Sequence, residues 1–338
     1  MPGSLTVPNV IAAQAGPTVA ASLFDANWNQ IRDYVNNREI TQGTLAARPA
    51  ASIEGRWYFA TDTGQLFADT GAAWTEVAAR ALGGYRVVGL VGVNNAGTPN
   101  TQFDLDADVV TLHNPSDGSI AVRRNPGSIT NNVSTAGPAA NGRDQAGAFG
   151  ASSWIHFYYI WNGTTLATVS SATAPTGAAG PVMPTGYTHW AYAGAVRYNA
   201  TPLLVRTRFR GSWATYDIVV TALSAGTATV ETSIDISALI PPNALMYFVI
   251  ANVRVTTGLN GTGFPFMDIR PTNTGSGEVI NCLAAKVAAT DICIGGGSGL
   301  VSNISQTLYY IITEVGDGTD TTEGYIFISA YSMPNGGE

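Results

Sequence analysis

Two Asp-Thr-Gly triplets, Asp62-Thr-Gly64 and Asp69-Thr-Gly71, carry the first residues with a recognisable chemistry. An aspartic protease needs two such carboxylates about 3 Å apart, sharing one proton and delivered by equivalent lobes. These two lie within one short stretch with no second lobe, so hairpin turns explain both. Asp104, Asp106 and Asp108 alternate, which on a strand puts three carboxylates on one face. Read as a calcium loop the pattern fails, because Val109 stands where the loop needs Gly and Pro115 where it needs Glu. A solvated or interfacial face is the better reading, with a divalent ion between copies as the minor one. His113, His156 and His189 lack metal-ligand spacing, and no Gly-x-Ser-x-Gly elbow marks a nucleophile. His156 shares a strand face with Trp154 and Tyr158, which suits a packed imidazole. Gly295-Gly-Gly-Ser-Gly299 lacks the Gly-Lys-Ser/Thr of a phosphate loop and reads as a flexible turn. Cys282 and Cys293 set neither a disulfide framework nor a metal site, and both are expected to be buried thiols. The expectation is therefore no catalytic residue, no metal and no cofactor: not an enzyme.

Aromatic side chains offer a different chemistry. Sugar rings present apolar C–H faces edged by hydroxyls, and amphipathic aromatics beside Asn, Asp and Arg match both parts. Trp161, Tyr187, Trp190, Tyr192 and Trp213 lie in or beside turn-rich stretches and are the candidates for an exposed glycan- or partner-binding surface. Burial in a core or between copies is the competing reading for each.

Three segments must position these residues. In 1–42, Ser22 is a plausible N-cap, and Phe24, Trp28, Ile31 and Val35 form one apolar stripe on a helix of about four turns. So short a helix must dock on something. Residues 43–80 read as a small β-meander whose turns carry Asp and Gly for local hydrogen bonding and positive φ. It is too small for its own core, so Trp57, Phe59, Phe67 and Trp74 are expected at an oligomer interface, with the helix stripe. From 81 to 338 strand signals recur, clearest at 154–160, 203–209, 216–223, 245–255, 308–313 and 325–331. Val205, Thr207 and Phe209 alternate with Arg206, Arg208 and Arg210, as on a half-buried strand. Many short strands without intervening helices predict a large antiparallel β-sandwich or jelly-roll-like domain, with two lobes as an option. The fold class is mainly β.

Composition narrows the function classes. Of 338 residues only 12% are charged, with a net charge of −7 and 38 glycines. About 25% charged is usual. The acidic balance argues against nucleic acid, and no apolar run approaches a membrane span. No basic region followed by an apolar core opens the sequence, so no export signal is expected. Low surface charge suits a subunit covered by copies of itself. Among the basic residues only Lys286 is Lys; the rest are Arg, which suits interfaces but equally follows from a GC-rich genome.

Leu5-Thr-Val-Pro-Asn, Ala15-Gly-Pro and Leu23-Phe-Asp-Ala-Asn-Trp together resemble the N-terminal lead by which bacteriophage appendage proteins attach to the virion. Gly43-Thr-Leu-Ala-Ala-Arg-Pro-Ala, Trp57-Tyr-Phe-Ala-Thr-Asp-Thr-Gly and Trp74 resemble a phage β-hairpin module. Asn141-Gly-Arg-Asp-Gln-Ala-Gly, Trp154-Ile-His-Phe-Tyr-Tyr-Ile-Trp-Asn-Gly and Met183-Pro-Thr-Gly-Tyr-Thr are similar to a phage and prophage β-domain. These motifs cover roughly residues 1–200, and their order resembles that of a tail fibre or related virion appendage protein. The resemblance implies a homotrimer, assembled in the bacterial host cytoplasm, located on the virion and joined through its N-terminal segment to other virion proteins. It implies receptor binding, with multivalent attachment to a host-surface glycan. A collar, baseplate or capsid-decorating subunit is the alternative. A glycan-depolymerising tailspike is a weaker one, since no solenoid period is visible.

Overall fold

The computed structural model describes residues 40–52, 56–61, 65–76, 85–176, 179–255, 266–272, 280–283, 293–302, 305–313 and 322–335. The expected helix with Phe24, Trp28, Ile31 and Val35 lies outside them, as does the turn at 62–64. The chain is mainly β, built from several largely antiparallel sheets. It divides into two compact units, Met1–Gly84 and Tyr85–Glu338. Among the described residues, no helix is long and apolar enough to cross a membrane.

In the first unit, strands Ile40–Gly43, Trp57–Ala60, Gln65–Asp69 and Trp74–Glu76 pair in that order. Only the first pair is parallel. Alternation puts Tyr58, Ala60 and Phe67 on one face, where they form a small core with Leu45 and Trp74. Phe67, placed by the sequence at an interface between copies, is instead buried in its own chain, with the Arg48 guanidinium 4.1 Å over its ring. Trp74 is half-buried and donates from Nε1 to the Pro49 carbonyl at 2.7 Å. The period-two pleat turns Trp57 and Phe59 to the other face, and Phe59 is 37% exposed.

Asp69 explains the described Asp-Thr-Gly triplet. Its Oδ1 accepts from the Gly71 amide at 2.8 Å, and Gly71 has φ +84°, so the triplet is a turn. Its Oδ2 accepts from the Ser52 amide and the Arg56 Nε, both at 3.1 Å. The carboxylate is fully buried, and Arg56 is its ion-pair partner.

The second unit layers two smaller sheets on a large one. The large sheet has eight strands in the order Ile129–Asn132, Gln102–Asp106, Val91–Asn94, Thr207–Arg210, Trp213–Gly226, Thr322–Ser332, Met246–Val255, Cys293–Ser302. A seven-stranded sheet runs Gly142–Arg143, Leu166–Ser171, Ser153–Trp161, His189–Tyr198, Val109–His113, Arg86–Val88, with Ile120–Arg124 paired to Val109–His113. A four-stranded sheet runs Thr232–Asp235, Thr307–Thr313, Phe266–Arg270, Ile280–Leu283.

Both smaller sheets cover one face of the large one. Phe103 and Phe209 of the large sheet meet Phe157, with the Phe103 and Phe157 rings 5.0 Å apart. Tyr331 donates to the Ala195 carbonyl at 2.7 Å. At Gly194 the sheets come so close that a Cβ would lie 2.6 Å from Met333 Cε and 2.8 Å from Phe209. The four-stranded sheet contributes Met267, Tyr310 and Ile280, which lie against Gly324, Gly226 and Gly299 of the large sheet. The Gly295-Gly-Gly-Ser-Gly299 run is therefore not a flexible turn. It belongs to a ten-residue strand paired throughout with Met246–Val255, and at Gly299 the glycine leaves space for Ile280.

The other face of the large sheet points outward: Thr207 and Phe209 are buried while Arg208 and Arg210 are exposed, the alternation expected from sequence. Two strands of the seven-stranded sheet, Ser153–Trp161 and His189–Tyr198, are buried on both faces.

Candidate functional site

A groove of about 290 Å3 opens at one end of the seven-stranded sheet. It is lined by Asn114, Pro115 and Ser116 from one turn, Gly180, Pro181 and Met183 from a second segment, and Tyr187, Thr188 and Trp190 leading into the strand His189–Tyr198. The first turn is set by Asn114, whose Oδ1 accepts from the Ser116 amide at 3.0 Å and whose carbonyl accepts from Gly118 at 2.8 Å. Gly118 has φ +74°, so the Asn-Pro-Ser-Asp-Gly order suits this turn.

Behind the groove lies an aromatic cluster. Trp190 packs edge-on against His113 at 4.3 Å and Tyr158 at 5.5 Å, and lies 5.0 Å from Tyr85. The Gly180 backbone lies so close that a Cβ there would sit 2.5 Å from the Trp190 ring. Trp190 is thus a buried wall, whereas Tyr187 is half-exposed and presents an amphipathic ring to the groove. Of the five aromatics expected at an exposed surface, the structure brings together these two. Tyr192 is fully buried in the cluster, and Trp161 is buried under the Arg123 guanidinium at 3.4 Å. Their exposure is corrected: both stand on strands packed on two faces, so they have no solvent side. Trp213 is half-buried on the outer face of the large sheet and does not line the groove.

Beside the groove a hydrogen-bonded chain links Asp117, Ser119, His189 and Thr188. Ser119 Oγ lies 2.6 Å from Asp117 Oδ1 and 3.0 Å from His189 Nε2, and His189 Nδ1 lies 2.9 Å from Thr188 Oγ1. An ionised carboxylate only accepts, so Ser119 donates its proton to Asp117. His189 Nε2–H then donates to Ser119, and Thr188 donates to Nδ1. The order is Asp–Ser–His, whereas nucleophilic catalysis needs the imidazole between the carboxylate and the hydroxyl. Hydrogen bonds from Ser119 hold the Asp117 carboxyl below its usual range, making it a weak base. Burial lowers the His189 imidazole, an effect that Arg123 reinforces and Asp117 opposes. Burial also lowers His113, with the charge of His189 adding to it. His156 is packed as the sequence indicates. Its Nδ1 lies 3.1 Å from the Tyr192 hydroxyl, and burial pushes it down to about 4.

Asp104, of the acidic triplet, accepts from Thr130 at 2.6 Å and from Asn95 at 2.9 Å, while its strand ends at Asp106. Among the described residues no three His, Cys, Asp or Glu side chains converge as a metal site would require. The Cys282 and Cys293 side chains lie outside the described ones. Sequence reasoning missed Asn114, Ser116 and Thr188. The available signal was the Asn114-Pro-Ser-Asp-Gly118 turn, which a strand on either side would have made a loop of interest.

No protein-family model matches this chain, and no curated protein does. The functional reading therefore rests on its own residues and on the motif order.

Proposed function

We propose that this chain is a structural protein of a bacteriophage virion, a tail fibre that attaches to a host-surface glycan through several copies at once. The observation that carries the binding role is the groove, with one half-exposed Tyr ring and three small polar side chains around it. Tyr187 suits the C–H face of a sugar, while Asn114, Ser116 and Thr188 suit its hydroxyls. The Asp–Ser–His order supports binding without turnover. The succession of lead, hairpin and β-domain motifs supports the virion assignment, with attachment to other virion proteins through the N-terminal segment. A homotrimer fits the low charge of the chain. Weak single-site contacts held at fixed geometry then add up to firm attachment.

Electron microscopy of particles labelled with antibody against this chain tests the placement. Label at the distal tail supports a fibre. Label on the capsid or collar overturns that placement in favour of a decorating or collar subunit, and unlabelled particles overturn the virion assignment.

A further inference from the structure

The outward face of the eight-stranded sheet departs from the usual rule for an antiparallel sheet with one solvated side, whose outer residues are polar. Strand register lines up Leu300, Phe248, Ala330, Thr215, Arg208, Val93 and Asp104 in one row across the sheet. The next row holds Ser298, Ile250, Phe327 and Thr221. Leu300 is 42% and Val93 39% exposed, and Phe248, Ile250 and Phe327 are half-exposed and stand outside the buried core. Apolar side chains thus occupy the middle of a face whose other side already carries two sheets.

We infer that this face is a self-association surface, covered in solution by the same face of a second copy of this chain, a two-fold contact additional to the threefold one that a homotrimer needs. Three observations select that occupant. First, the face carries charges of both signs: Arg254 and Glu323 pair in register, Arg208 and Arg210 share rows with Asp104 and Asp106 across the intervening strand, and Arg208 pairs with Asp217 at 2.7 Å. A face that must complement itself needs both signs, whereas nucleic acid or an anionic membrane needs one. Second, eight strands about 4.8 Å apart, each about 17 Å long, give a projected area of about 650 Å2. That approaches the roughly 800 Å2 per partner of a standard interface. Third, two sheets stack face to face through rows of this kind, aligned within about 30°. This surface concerns how copies assemble and is independent of the glycan groove, so either can fail alone.

The test replaces Ser298, an exposed residue between Leu300 and Gly296 on that face. Ser298→Arg adds bulk and charge at an exposed position of the lone chain, so the variant is expected to keep its fold. Light scattering on the full chain should give at least twice the 35.2 kDa of one copy, and S298R should fall to a smaller species. Hydroxyl-radical footprinting should find Phe248, Phe327 and Met246 protected in the wild type and oxidised several-fold faster in S298R. Loss of mass, or loss of protection with another contact holding the copies together, supports the inference. A monomeric wild type, or S298R with unchanged mass and unchanged protection, overturns it. Polysaccharide binding by the same variant keeps this result separate from the glycan reading.

Discussion

Tyr187 presents its ring to the groove while the Trp190 ring behind it is closed off by the Gly180 backbone. Replacing Tyr187 by Ala should therefore remove stacking, together with the contacts its ring makes to the core edge, so binding is read on a variant whose melting temperature shows it folded. The expected loss is about tenfold in single-site affinity, from about 1.5 kcal/mol of ring contact. His156 supplies a prediction of a different kind. Burial pushes its folded pKa down to about 4, from the ordinary imidazole value of 6.5. The unfolded chain thus binds a proton that the folded chain refuses between those values, and stability falls as pH drops from about 6.5 to 4. The full effect is about 3 kcal/mol. Melting curves across that range should show the slope in the wild type and a flatter one in His156→Gln.

The four-stranded sheet of the first unit depends on one buried carboxylate. Asp69→Ala would leave Arg56 unpaired and release the Ser52 and Gly71 amides, at a cost of about 3 kcal/mol. Amide exchange should accelerate through Trp57–Ala60 and Gln65–Asp69 and stay unchanged in the second unit. In the second unit Gly194→Ala should overpack the contact between sheets by about 1–3 kcal/mol, read as a lowered melting temperature. The same elements show how far sequence could reach. Alternation revealed Thr207–Arg210, and apolar runs revealed the strands at 153–161, 246–255, 307–313 and 322–332. His189–Tyr198 escaped because both its faces are buried, so its pattern has no polar side, and because, unlike Ser153–Trp161, its apolar run is diluted by Ala191, Ala193, Gly194 and Ala195. The glycine-rich Cys293–Ser302 escaped because its requirement for small residues comes from Ile280, remote in sequence. Trp161 and Tyr192 were misread for the first reason. Tyr187 was legible because turn chemistry exposes what it carries.

At the scale of the whole molecule, the two proposals give one weakly charged chain a groove for a glycan and a sheet face for its own copies. The two surfaces make separable contributions. Tyr187→Ala should weaken each site and leave assembly intact. Ser298→Arg should leave each site intact and reduce avidity about 100-fold. The most direct test is binding of the labelled full chain to a panel of purified bacterial surface polysaccharides, beside Tyr187→Ala at equal assembly state. The account predicts that the wild type retains at least one polysaccharide and that the variant loses at least tenfold of that binding. A wild type that binds none of them, or a variant that binds equally well, would contradict it.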